Sequence, residues 1–186
     1  MSPGARSKGK APAAKGGGDA PRTLTEFMAQ ALVMEVEAAQ RYGDLADAME
    51  THNNREVADL FRKMATIEGK HAEQIMREMG WRETPAPPGK HVWEGFEAPE
   101  TTPVDDVHYL MTPYHALELA LAAEVRAERF FARLVKAATV ETVRRAAREL
   151  QAEEAEHVAL IRAWMEKVEK PTQDWAQDPD PPRYAE

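Results

Sequence analysis

The chain has 186 residues, enough for one domain with a substantial buried core. Its 32 Asp and Glu outnumber 24 Lys and Arg, leaving a net charge of -8 that argues against a nucleic-acid partner. There is no cysteine, which excludes disulfides, thiolate zinc sites, Cys-ligated iron–sulfur clusters and a cysteine nucleophile. No apolar run approaches the roughly 18–20 residues of a membrane span, so no membrane partner is expected. Chemistry is left to Glu, Asp, His, Tyr or a bound cofactor.

Residues 1–22 are Gly, Ala, Pro and Lys with almost nothing to bury, and they read as a disordered basic tail. They lack the apolar stretch of a secretory signal, which points to the cytoplasm. A first helix is predicted over Thr25–Met49, with Thr23 and Glu26 as a capping box and Phe27, Ala31, Met34, Ala38 and Leu45 on one face. A second runs over Arg55–Met79, capped by Asn53 or Asn54 and ended by Gly80. Residues 81–111 carry five prolines (Pro85, Pro87, Pro88, Pro99 and Pro103) and read as a linker, expected to pack through Trp81, Trp93 and Phe96. The third helix is predicted from Thr112 as N-cap and Pro113 as first residue to Ala138. The fourth covers Glu141–Val168, and residues 171–186 form an acidic, Pro-rich tail. No segment alternates with period two, so the fold class is all-α.

The connections fix the topology. Two to five residues join the first helix to the second, and the third to the fourth, so the chain forms two antiparallel helical hairpins. A helix of about 25 residues is roughly 37 Å long, and the linker can span that length and leave the second and third helices parallel. The expected architecture is a four-helix bundle over residues 23–170, made of two hairpins and one long crossover.

The hairpins resemble one another. The first helix contains Glu35-Val-Glu-Ala-Ala-Gln-Arg-Tyr42 and the third Glu124-Val-Arg-Ala-Glu-Arg-Phe-Phe131. The second contains Glu68-Gly-Lys-His71 and the fourth Glu154-Ala-Glu-His157, each followed one turn later by an Ile, Ile75 or Ile161. Counted from the hairpin turns, the four Glu lie about fifteen to eighteen residues away, within about one turn of a common height. Glu-x-x-His places both side chains on one helical face. Four carboxylates and two imidazoles thus converge on one layer, where unneutralised burial would cost several kcal/mol per charge. Two divalent cations would neutralise them, and this donor set suits iron or manganese. The competing reading is a metal-free bundle whose acids lie on its surface.

Glu128, one turn after Glu124, is a candidate additional ligand. Tyr42, two turns after Glu35, is either a packed aromatic or a hydrogen-bond donor to the site. His52, His91, His108 and His115 sit at helix ends or in the linker, and Glu37, Glu73, Glu153 and Glu156 belong to solvated faces.

With these motifs, residues 24–168 resemble the rubrerythrin branch of the ferritin-like superfamily. The resemblance implies two iron ions, with manganese or a mixed pair as alternatives. Glu68 and Glu154 would bridge them, Glu35 and His71 would complete one, and Glu124 and His157 the other, so that these six residues are also the catalytic set. It also implies a homodimer. The chain departs from the family at two points: it has no Cys-rich rubredoxin module to deliver electrons, and Ala127 stands where rubrerythrins carry a further Glu. Turnover would therefore need an external electron donor. Three functions follow: a peroxidase or oxidase protecting against oxidative stress, a ferroxidase serving iron storage or handling, and a metal-stabilised structural or partner-binding bundle.

Overall fold

The computed structural model describes residues 21–86, 98–102 and 107–172. Four helices form: α1 (Leu24–Thr51), α2 (Arg55–Glu78), α3 (Pro113–Ala137) and α4 (Glu141–Met165), with no strand among the described residues. The first three match their predicted spans closely. The fourth ends at Met165 rather than Val168. Trp93, Phe96, His91 and most of both tails lie outside the described residues.

The helix ends follow the sequence signals. The Thr23 hydroxyl accepts from the Glu26 amide at 3.1 Å, while the Glu26 carboxylate reaches back to the amide of Arg22 at 3.0 Å, one residue earlier than a strict capping box. Asn54, not Asn53, caps α2 by accepting from the Val57 amide. Asn53 takes the left-handed conformation (φ 59°) that lets a three-residue turn reverse the chain. At the other end of α2, Gly80 has φ 66°, and the amides of Gly80 and Trp81 return to the carbonyls of Arg77 and Met76. That is a Schellman closure, with Trp81 packed on the core beside Met76. At the start of α3, the Nδ1 atom of His115 accepts from the Thr112 amide at 3.2 Å, which assigns this buried imidazole to capping.

α1 packs on α2, and α3 on α4, as two hairpins. Two apolar clusters show how the hairpins are oriented. One joins the N-terminal half of α1 (Phe27, Leu32) to the C-terminal ends of α2 (Ile75) and α3 (Phe131, Leu134) and the start of α4 (Val143, Leu150). The other joins the end of α1 (Tyr42, Leu45, Met49) to the starts of α2 (Val57, Phe61) and α3 (Ala116, Leu117) and the end of α4 (Ile161). α2 and α3 therefore run parallel, as the long crossover requires. Each buried Phe or Leu in these clusters contributes about 1.5–3 kcal/mol by leaving water. Between the two apolar layers lies a third that is not apolar.

Candidate metal centre

In each helix a Glu interrupts the inward-facing apolar stripe. In α1 the buried run is Ala31, Met34, Glu35, Ala38 and Tyr42; in α2 it is Phe61, Met64, Glu68, Ala72 and Ile75. In α3 it is Ala120, Ala123, Glu124, Ala127 and Phe131, and in α4 Leu150, Glu154, His157 and Ile161. The helical repeat that buries the core thus buries these acids, and the neighbouring alanines leave room for them. Glu68 and Glu124 are fully buried, and Glu35 and Glu154 are 1 % exposed.

Both imidazoles turn Nδ1 toward the carboxylates. His71 Nδ1 lies 3.6 Å from Glu35 and 3.6 Å from Glu68, and His157 Nδ1 lies 3.2 Å from Glu124 and 3.5 Å from Glu154. The two rings stack face to face, 4.5 Å apart and within 4° of parallel, across the boundary between the hairpins. The six residues singled out in the sequence are thus brought together.

A seventh group joins them that the sequence reading missed. Glu100, in the crossover, is fully buried, and neither of its carboxylate oxygens has a hydrogen-bond partner. Among the described residues, four trios of candidate ligand atoms lie within 4.8 Å of one another: Glu68–His71–His157, Glu124–Glu154–His157, Glu35–Glu100–Glu154 and Glu68–Glu100–Glu124. No periodicity marks a Glu within a proline-rich linker. Its only signal was the unusual length of the linker itself.

The electrostatics are those of crowded, desolvated acids. Burial pushes the Glu35 carboxyl up to about 7, the nearby His71 opposing this and the Glu68 charge adding to it. Burial likewise raises Glu154 and Glu100 well above the ordinary carboxylate range, and the surrounding carboxylates lift both further. Burial pulls the imidazoles down, but Glu35 and Glu68 lift His71 to about 10, and Glu124 and Glu154 lift His157 to about 11. Glu35, Glu100, Glu154, His71 and His157 thus each hold a proton more tightly than in water, as expected where anions outnumber cations.

The remaining candidates fall elsewhere. Glu128 is half-buried, accepts from the Gln151 side chain at 3.4 Å and belongs to none of the four trios. Tyr42 is buried and stacks on Phe61 with ring centroids 6.0 Å apart. Its hydroxyl makes no hydrogen bond of good geometry, and burial, with Glu124 and Glu68 nearby, raises its pKa well above that of a free phenol. Glu37, Glu73 and Glu156 are exposed, as expected. Glu153 is not fully solvated: it is half-buried and lines a cavity of about 180 Å³ between α2 and α4, with Glu78, Glu149, Gln74 and His71 also in its wall. The His71 side chain is 18 % exposed against 11 % for His157, so the centre opens on the His71 side.

These donors fit metal ions. Seven buried atoms from Glu35, Glu68, Glu100, Glu124 and Glu154 lack hydrogen-bond partners, a density that a purely structural core does not tolerate. With metal–oxygen bonds of about 2.0–2.6 Å, ligand atoms on one ion lie at most about 4–5 Å apart, the spacing of the four trios. Carboxylates mixed with imidazoles suit iron, manganese or zinc.

Comparison with known proteins agrees. No protein of curated function matches the sequence. A crystal structure of an uncharacterised conserved protein from Magnetospirillum magnetotacticum MS-1 is similar at 39 % identity and a TM-score of 0.60, over 82 % of this chain and 99 % of that one. A hypothetical protein from Pyrococcus furiosus is matched at 22 % identity and a TM-score of 0.39, over 78 % of this chain and 89 % of that one. The family model described as Rubrerythrin matches residues 26–165, a span that takes in all four helices and every candidate ligand. The chain belongs to the rubrerythrin family.

Proposed function

We propose that the bundle over residues 23–170 is a non-haem di-iron oxidoreductase that reduces peroxide, or oxygen, with electrons from an external donor. The observation that carries this reading is the convergence of Glu35, Glu68, His71, Glu124, Glu154 and His157 in one buried layer between two apolar ones. In this reading Glu35 with His71 would hold one iron and Glu124 with His157 the other, with Glu68 and Glu154 shared between them. Bound iron supplies a one-electron couple at each position, and manganese is the alternative metal. Reduction of hydrogen peroxide to two waters consumes two electrons and two protons, and in each turnover the external donor would make good both electrons. The chain's residues would hold the ions between the two apolar layers, which exclude bulk water, and leave the cavity beside His71 as the way in. We place the protein in the cytoplasm, where soluble reductants can restore the Fe(II) state, and we expect a homodimer.

The second reading, ferroxidation in the service of iron storage or handling, is favoured by the acids lining that cavity: Glu78, Glu149 and Glu153 form an approach suited to cations. Anaerobic loading with Fe(II), followed by stopped-flow mixing with peroxide or with oxygen, separates the two. Faster oxidation by peroxide, with turnover when reductant is added, supports the peroxidase. Oxidation mainly by oxygen, with iron accumulating beyond the two sites, replaces it with the ferroxidase.

A further inference from the structure

Among the described residues, Glu100 of the crossover is the candidate ligand that lies outside the helices. Residues 98–102 lie against the bundle, with Ala98 buried in the first apolar cluster and Thr101 and Thr102 buried as well. The Thr101 amide closes a tight turn onto the Ala98 carbonyl at 3.0 Å. Two arginines from different hairpins pin this turn by its backbone. Arg41 of α1 donates to the Thr102 carbonyl at 3.2 Å, and Arg126 of α3 donates to the carbonyls of Pro99 at 2.9 Å and Thr101 at 3.1 Å.

The effect is to hold Glu100 inward. Both guanidinium groups donate to backbone carbonyls of the turn. Here neither Glu100 oxygen accepts a hydrogen bond, so the carboxylate is left for something else. A neutral Gln or Leu would fill the same space without the desolvation cost of several kcal/mol that a buried unpaired carboxylate carries. Glu100 also differs from the other acids in position. It shares one trio with Glu35 and Glu154 and another with Glu68 and Glu124, two trios that have no other residue in common.

Resting on the di-metal reading above, we propose that Glu100 is a seventh protein ligand, placed to contact both metal positions, and that metal loading thereby fastens residues 98–102 to the bundle. Residues 98–102 then act as a strap whose hold depends on the metals. Two divalent ions are balanced by the four helix carboxylates, so a fifth adds negative charge that favours the trivalent state.

The test uses the full chain with Mn(II) as probe, in the wild type and in the near-isosteric Glu100→Gln, with Glu100→Ala as a second variant. Calorimetric titration is expected to give two Mn(II) per wild-type chain, and at least tenfold weaker binding at one or both positions in each variant. Hydrogen exchange at Thr101 and Thr102 is expected to slow on Mn(II) addition in the wild type but not in Glu100→Gln. Equal Mn(II) affinities in wild type and variants would remove Glu100 from the ligand set and leave the di-metal reading intact. So would exchange at residues 98–102 that ignores Mn(II) in a wild-type chain holding two ions. A wild-type chain that binds no Mn(II) or Fe(II) overturns both.

Discussion

The two hairpins match where the centre needs symmetry and differ where it does not. Glu35 corresponds to Glu124, Glu68 to Glu154 and His71 to His157, and the stacked imidazoles meet at the boundary between the halves. Applying the same offsets to neighbouring positions exposes the differences. Tyr42 of α1 corresponds to Phe131 of α3, Arg41 to Phe130, and Glu37 to Arg126. Phe131 packs edge-on against Phe27 in the first apolar cluster, whereas Tyr42 stacks on Phe61 in the second. The two arginines that pin the crossover have no counterparts in the other half, and neither does Glu100. A duplicated hairpin explains how two matching sets of candidate ligands arise; the unduplicated residues decide what surrounds them.

Matched substitutions test the symmetric part most severely. Glu68→Ala and Glu154→Ala are each expected to weaken metal binding by more than the roughly 10–100-fold that loss of an outer hydrogen-bonding partner costs, and His71→Ala and His157→Ala should form a second matched pair. All four variants are expected to fold, because both apolar clusters are untouched. Metal analysis alongside circular dichroism checks this. Full metal occupancy in any of them contradicts the ligand assignment.

The pH dependence follows from the raised values. Glu35 moves from 4.5 to about 7, and His71 and His157 move from 6.5 to about 10 and about 11, so all three bind protons more tightly in the folded chain. Raised values stabilise the metal-free fold at low pH, and that contribution fades as pH rises, through Glu35 up to about 7 and through the imidazoles up to about 10–11. Metal binding runs the other way, because a cation must displace these protons. The rise in Tm produced by a fixed Mn(II) concentration is therefore expected to be larger at pH about 7.5 than at about 5.5. A shift that shrinks with rising pH contradicts this.

The aromatic asymmetry gives the smallest effects. Phe131→Tyr places a hydroxyl in an apolar cluster and is expected to cost about 1–3 kcal/mol in denaturant titrations. Tyr42→Phe removes a hydroxyl that has no hydrogen bond of good geometry, and the cost is expected to stay below about 1 kcal/mol with metal content unchanged. Equal costs for the two changes would erase the distinction between the halves.

Much of this was legible in the sequence because it is periodic. The spans of α1 to α3, the Thr23 and Thr112 starts, an Asn53 or Asn54 cap on α2, the Gly80 stop and the common height of the four Glu all follow from repeat, rise and capping chemistry. The length of the crossover correctly implied parallel α2 and α3. Glu100 was not legible, because its place depends on Arg41 and Arg126 grasping backbone carbonyls, and no side-chain pattern encodes such bonds. Glu128 is a candidate by spacing, one turn from Glu124, but one of its carboxylate oxygens accepts from Gln151 of α4 instead. The partial burial of Glu153 depends on how α2 and α4 lean together, which helical spacing does not specify.

The most direct test of the central claim is a count of iron. Protein freed of metal by chelation, reloaded anaerobically with Fe(II) and passed through a desalting column should retain two iron ions per chain. Glu68→Ala prepared in parallel should retain markedly less. A wild-type chain that keeps no iron, folds with the same helical content and gains no thermal stability on loading would contradict the account.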